Sequence, residues 1–511
     1  MSVQHALPDH IRAARPIYRR RQPEDSVLYR VMQEHLSTFL AMADARAEID
    51  PSGSGLPRYV RRELDGFLSC GILARGFVRA FCPSCRQSIL VAYSCKARSV
   101  CPSCTGRRMA EVAAHLVDHV FPEVPVRQWV LSLPHRVRYL LARHPALCRE
   151  VRGIFVRAVH SFYSRRAKTQ GHPGGRSGSV VQVQRFDSAI RLDLHFHALT
   201  LDGVYAGFDD PGCPLTFHPA ADLTDDEVDW LVRHIKALIN GHLRRGGYLD
   251  EQDALLGESA DDLDEMSTHQ AAAVQGLIPF GLRSGQRVQL FGDEQKAPPP
   301  RPYKRLCADH DGYSLHAAVR VAAGNSTRLE RISRYVARPA LAQDRLAVAR
   351  DGSIVYRFRR RWRNGKQAVV MDPLTFLSRL AALIPPPRFH MLSYYGVLAP
   401  AASRRDEIVP GSGDGEEPSS CRMENSQARA SSSDAGQRER RRPERMTWAE
   451  LVQRVWLEDV LRCPCGGRRT VLSMVFNPHS IERILRHLGL PHQAPPRAPP
   501  RPMPAGLPFS A

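Results

Sequence analysis

The chain has 511 residues, long enough for two or three domains with cores of their own. Lys and Arg number 72 against 52 Asp and Glu, and a net charge of +20 points to a polyanionic partner, nucleic acid first. No run of about 18 apolar residues occurs and Met1-Ser-Val-Gln-His is polar, so neither a membrane span nor an export signal is expected, and the expected compartment is the cytoplasm.

Residues 1–59 read as a helical leader, with the amphipathic segment Val27 to Leu40 closed by the loop Asp50 to Pro57. A cysteine module follows at 60–122. Cys82 and Cys85, then Cys101 and Cys104, form two Cys-x-x-Cys knuckles with 15 residues between them. Two such knuckles fit one tetrahedral, four-thiolate zinc site, closed to substrate and therefore structural. Cys70 and Cys95 nearby read as buried thiols or as ligands of a second ion. Twelve cysteines grouped in this way fit reduced, metal-binding thiolates better than a disulfide framework. Lys96, Arg107 and Arg108 beside the knuckles are either a DNA-contacting patch or a solvated face.

Gln128 to Pro134 reads as a strand and is followed by helices through 166. A basic Gly/Ser loop at 167–178 precedes Val180 to Phe186, a strand expected to pair with the next one. That next strand, within 191–201, alternates: Leu192, Leu194, Phe196 and Ala198 point to one face, Asp193, His195, His197 and Leu199 to the other. Two imidazoles on one strand face converge on a point. Either they sit on a half-polar strand or they hold a divalent metal.

Acidic, loop-rich insertions are expected at 208–225 and 249–266, with a helix from Val228 to Leu243 between them. The strand Tyr313 to Val321 then leads into a helix capped by Asn325 or Ser326 and stopped by Pro339. Leu329, Ile332 and Val336 make its buried stripe, and Arg328, Arg331, Tyr335 and Arg338 fall on another face. A tyrosine there is either packing or a nucleophile, since the guanidiniums beside it stabilise negative charge and hold a phosphodiester. Residues 401–447 are Ser/Arg/Glu/Gly-rich and expected to be disordered. Residues 448–511 read as a small remnant with a Pro-rich tail. The Cys463-Pro-Cys465 pair there cannot fill a tetrahedron alone, so no zinc is expected on it. The chain has no internal repeat and no Walker-type glycine loop, so no nucleotide cofactor is expected.

A paired-histidine strand followed by a tyrosine helix resembles the layout of the HUH (His-hydrophobic-His) endonucleases. Five stretches narrow the likeness: Ser94-Cys-Lys-Ala-Arg-Ser-Val-Cys-Pro-Ser-Cys104, Pro125-Val-Arg-Gln-Trp-Val-Leu-Ser-Leu-Pro134, Gln184-Arg-Phe186, the strand at 192–204, and Arg334-Tyr-Val-Ala-Arg-Pro339. In that order, spread over residues 60–400, they are similar to the rolling-circle insertion-sequence transposases of the IS91 family, particularly the single-tyrosine ISCR branch. The resemblance implies an α+β fold, an HUH-type antiparallel sheet with flanking helices, preceded by the small zinc module. It assigns recognition of the transposon end to 60–122 and single-strand nuclease activity to 123–400. It makes Tyr335, His195 and His197 catalytic, with Mg²⁺ or Mn²⁺ on the histidines polarising the scissile phosphate of single-stranded DNA. Attack by Tyr335 would leave a 5′-phosphotyrosine and a free 3′-hydroxyl, so rejoining would need no nucleotide cofactor.

Gln184 matches the position of the polar third ligand in related nucleases. Asp193 is the alternative, as a ligand or as a hydrogen-bonding partner that orients His195. Arg328, Arg331, Arg338, Lys96, Arg107 and Arg108 are the expected DNA contacts. The sequence departs from the parent family in one respect. That family carries two tyrosines four residues apart, whereas Arg331 and Pro339 stand four before and four after Tyr335. Related sequences also carry Cys-x-x-Cys where this chain has Cys463-Pro-Cys465, which marks the latter as a degenerate relic. Two other readings share these features. One is a plasmid-type replication initiator or relaxase with the same chemistry; the other is a zinc-dependent DNA-binding protein whose nuclease half has decayed.

Overall fold

In the computed structural model the described residues are 20–49, 55–210, 212, 214–256, 264–293, 304–410, 446–456 and 459–502. Of the segment expected to be disordered, only 401–410 and 446–447 fall within them; residues 411–445 lie outside. The chain is mixed α+β and its sheets are antiparallel. None of the described helices is long and apolar enough to cross a membrane.

The central element is a six-stranded sheet. Its order is Leu392–Gly396, Gly178–Phe186, Leu192–Leu201, Val126–Ser132, Tyr313–Val321 and Cys307–His310. The expected pairing of the 180–186 strand with the histidine strand is present, and two edge strands complete a larger sheet than the sequence suggested. Alternation decides what each face does. Leu194, Phe196 and Ala198 point to one side with Trp129, Leu131, Val181, Val183 and Leu315, and all are buried. The long helix Pro145–Thr169 belongs to this core, and its Phe155 ring stacks 6.3 Å from Phe196. A tight turn joins the two inner strands: Asp187 Oδ1 accepts from the backbone N–H groups of Ala189 and Arg191 at 2.8 and 2.9 Å, and Ile190 takes φ 58°.

The opposite face carries His195 and His197 and is partly covered by two helices. Ser326–Val336 is capped by Asn325, whose Oδ1 accepts from Arg328 N at 3.0 Å. Its Leu329 and Val336 join Leu116, Val120, Val126, Leu199 and Leu201 in a second small core. Leu116 belongs to Pro102–His119, the helix of the cysteine module, which packs on the tyrosine helix. The helix Trp448–Trp456 adds a clasp: Arg454 donates to Asp118 Oδ1 at 3.1 Å and to Glu330 Oε2 at 3.0 Å.

The C-terminal segment is not a separate remnant. Its strand Thr470–Val475 pairs with Phe77–Phe81, which pairs in turn with Ser88–Ala92, so three strands from opposite ends of the sequence form one sheet. The helix Pro478–His487 packs beside it, its Ile481 and Leu485 closing a core with Leu73 and Phe77.

Candidate active site and metal centres

The antiparallel register sets the polar face of the sheet. His195 lies opposite Gln184 on one side and Ser132 on the other; His197 lies opposite Gln182 and Val130. His316 lies opposite Val130 on the next strand and so shares the face. The two histidine rings are 5.0 Å apart between centroids. Tyr335, a residue 43% exposed, meets His197 edge-on at 5.9 Å, and the Arg338 guanidinium lies over its ring at 4.6 Å. Thus Tyr335, His195, His197, Gln184 and Arg338 are brought together. Arg328 and Arg331 lie exposed on the same helix. Lys96 and Arg108 are exposed on the cysteine module and joined to each other, Arg108 Nη2 donating to Lys96 O at 3.5 Å, while Arg107 is half-buried.

Hydrogen bonding fixes which atoms are left over. Asp193 O lies 2.9 Å from His195 Nδ1 and can only accept, so Nδ1 carries the proton and Nε2 the lone pair. Gln184 Nε2 donates to the carbonyls of Tyr335 and Val336 at 3.3 and 2.9 Å, which turns Gln184 Oε1 toward His195 Nε2 at 3.1 Å. Two acceptors therefore face each other. Donor atoms on adjacent corners of an octahedron with bonds of about 2.1 Å stand about 3 Å apart, so this gap suits a shared cation.

His197 Nε2 on the same face is buried and has no hydrogen-bond partner among the described residues. On the far side of that ring the Gln128 carboxamide lies 2.9 Å from Nδ1. The atom placed there is Gln128 Nε2, which donates to Nδ1; turning the amide over would let its oxygen accept from Nδ1–H and leave His197 Nε2 as the ligating nitrogen. Burial, then the charges of His195, Arg338 and His316, hold His197 well below the usual histidine range. Burial also lowers His195. Neutral imidazoles are what a metal needs. Asp193 is engaged otherwise: its Oδ1 lies 3.2 Å from Arg138 Nη1 and 3.8 Å from His195 Nδ1. Two neutral imidazoles and an amide oxygen suit a divalent cation completed by water or phosphate oxygens.

The cysteines form two clusters, and the expected single set of Cys82, Cys85, Cys101 and Cys104 is corrected. Cys101 and Cys104 meet Cys70 and Cys95; Cys82 and Cys85 meet Cys463 and Cys465. Within each cluster the four sulfurs lie within 4.8 Å of one another, as four thiolates around one tetrahedral ion require. Cys463-Pro-Cys465 is therefore not a relic. It is half of a site whose other half is 378 residues earlier. The Gly-Gly that follows makes the turn. Gly466 has φ 87°, and a Cβ on Gly467 would lie 2.6 Å from Ser84 Oγ and 2.9 Å from Cys82 Sγ. In the partner knuckle the backbone N–H of Cys85 points at Cys82 and pulls its thiol down to about 6, toward the thiolate that binds zinc.

Sequence reasoning missed three features of these sites. His316 and Gln128 were readable in principle from strand alternation, since Ser314, His316, Gln128 and Val130 share the parity of the polar face. Nothing in the spacing linked Cys463 to Cys82.

Two family models match the chain. One, described as "Putative transposase", spans residues 178–406 and takes in Gln184, both histidines and Tyr335. The other, described as a transposase zinc-binding domain, spans residues 34–133 and takes in the six N-terminal cysteines of the two clusters. Neither a curated protein nor a solved structure matches it.

Proposed function

On the support that these two matches give to an IS91-family transposase, a DNA-cleaving and strand-transferring enzyme, we propose that the chain is an HUH-type nuclease of the single-tyrosine, ISCR-like branch. It cleaves and rejoins single-stranded DNA at transposon ends through Tyr335. One observation carries the reading: the tyrosine ring stands against His197, beside the facing acceptors His195 Nε2 and Gln184 Oε1, a pair that suits a shared divalent cation.

His195, His197 and Gln184 would hold Mg²⁺ or Mn²⁺, which when bound draws charge from a non-bridging phosphate oxygen. Tyr335 Oη attacks phosphorus in line, its proton passing to solvent, to which this residue is exposed. The bond from phosphorus to the 3′-oxygen breaks, and that oxygen takes up a proton. The phosphotyrosine keeps the energy of the diester, so reversal by a 3′-hydroxyl rejoins the strand. Arg338, stacked on the ring, faces the charge that develops at phosphorus. The two four-cysteine clusters, with the zinc-binding-domain match, support structural zinc. Their thiolates leave no coordination position free, which gives them a folding and docking role and no chemical one. A decayed DNA-binding remnant would have no reason to keep Tyr335, both histidines and Gln184 in one place.

Purified protein mixed with labelled single-stranded DNA from its own flanking sequence should form a covalent adduct, stable to denaturation, when Mn²⁺ or Mg²⁺ is present. Prior chelation should prevent it. An adduct that forms equally well without any divalent cation removes the metal from the reading.

A further inference from the structure

Beside the tyrosine site a cavity of about 460 Å³ opens between the cysteine module, the strand Gly178–Phe186 and the segment Leu383–Leu392. Arg98, Arg108, Arg185 and Arg338 line it, and Gln184 and Arg338 belong to both places. Arg185 is only 2% exposed. Its Nη2 donates to Ala382 O at 3.2 Å, but Nε and Nη1 are buried with no hydrogen-bond partner among the described residues. Among the described residues no carboxylate pairs with it. Burial lowers it only to about 10, so it stays charged at neutral pH.

An uncompensated buried guanidinium is costly, and a fold retains one when a ligand supplies the counter-charge. Arg98 does not, since it is another cation and is itself tied to Pro386 O at 3.2 Å. The cavity has the polarity and size for part of a nucleotide: cations at its walls, the Phe389 ring 5.8 Å from the Arg185 guanidinium, and the attacking tyrosine next door. The unpartnered Nε–H and Nη1–H groups of Arg185 are donors left over for phosphate oxygens.

We infer that this cavity is a phosphate subsite for the DNA strand, in which Arg185 takes the phosphodiester of a nucleotide next to the scissile bond. The inference rests on the nuclease reading for the identity of the ligand, but the anion chemistry stands on Arg185 alone. Arg185 is a binding residue here, and it holds the strand in place while the scissile phosphate reacts. The subsite also gives the strand that Tyr335 does not capture covalently a place to remain until rejoining.

Binding of a short oligothymidylate, which carries phosphates and no target sequence, tests this in the full zinc-loaded chain. Arg185→Met keeps the volume and removes the charge. Losing a charge-assisted phosphate contact should weaken binding about ten-fold or more. The slope of log affinity against log salt should shrink by about 0.7, the value for one phosphate on a single strand. The thermal midpoint of the unliganded variant should not fall, because the buried charge is gone. Inorganic phosphate, compared with chloride at equal ionic strength, should raise the midpoint of wild type and not that of the variant. Unchanged affinity and slope, or equal phosphate stabilisation of both proteins, would overturn the subsite. If Arg185→Met does not fold, the phosphate titration of wild type and of Arg185→Lys decides: no stabilisation of wild type overturns the proposal. Failure of wild type to form a covalent adduct would instead remove the nuclease reading and leave this binding result standing.

Discussion

At the scale of single residues the site is defined by what hydrogen bonds leave unused. His195 Nε2 and Gln184 Oε1 face each other as acceptors only because Asp193 O and two helix carbonyls have taken the donors of the same side chains. Gln184→Leu keeps the volume and deletes the oxygen. It should cut metal-dependent cleavage by about ten-fold or more and raise the Mn²⁺ concentration needed, with DNA binding retained. Wild-type metal dependence in that variant would move the ligand role to Asp193. A residue remote from the histidine pair makes a separate prediction. His160 is half-buried with Nε2 2.7 Å from Ser179 Oγ, and desolvation pushes it down to about 4. The unfolded chain takes up that proton near 6.5 and the folded chain only near 4, so stability is lost as pH falls through this window. The loss reaches about 3 kcal/mol at the lower end. His160→Gln should flatten the fall in thermal midpoint between pH 7.5 and 4.5; an unchanged slope would assign the acid sensitivity elsewhere.

At the scale of elements, the strands and the tyrosine helix were legible because period and parity are local properties. Leu194, Phe196 and Ala198 go to the core, His195 and His197 to the open face, and Leu329 and Val336 under the helix, as alternation and helical spacing imply. The cysteines were not. Spacing identifies a knuckle but cannot say which knuckles share an ion, and here the two clusters interleave along the chain. The Cys-Pro-Cys pair looked incomplete because its partners lie at the other end of the sequence. Two ions follow where the sequence suggested one. Metal analysis of reduced, purified protein should return two zinc ions per chain. Cys465→Ser should lower that to one, as should Gly467→Ala, whose Cβ has no room beside Cys82 and Ser84. A single zinc in wild type, or two in Cys465→Ser, would contradict the second cluster.

At the scale of the whole molecule, the two ends of the chain meet in one module, and that module is packed on the helix that carries the tyrosine. Arg454 ties Asp118 of the module helix to Glu330 of the tyrosine helix, and with Arg334 it outweighs the burial of Glu330 and keeps that carboxyl below its usual range. Removing residues 446–511 should therefore cost one zinc ion and lower the thermal midpoint of the rest, where loss of a detached tail would change neither. None of this was available to sequence reasoning, since docking between segments hundreds of residues apart has no local signature.

The proposed strand transfer depends on the phenolic oxygen of Tyr335. Tyr335→Phe keeps the ring against His197, the stacked Arg338 and the helix, and deletes one atom. The variant should bind zinc and single-stranded DNA as wild type does and form no covalent protein–DNA adduct with Mn²⁺ or Mg²⁺, while wild type forms one. If Tyr335→Phe still forms the adduct, the nucleophile is elsewhere and the proposed chemistry is wrong.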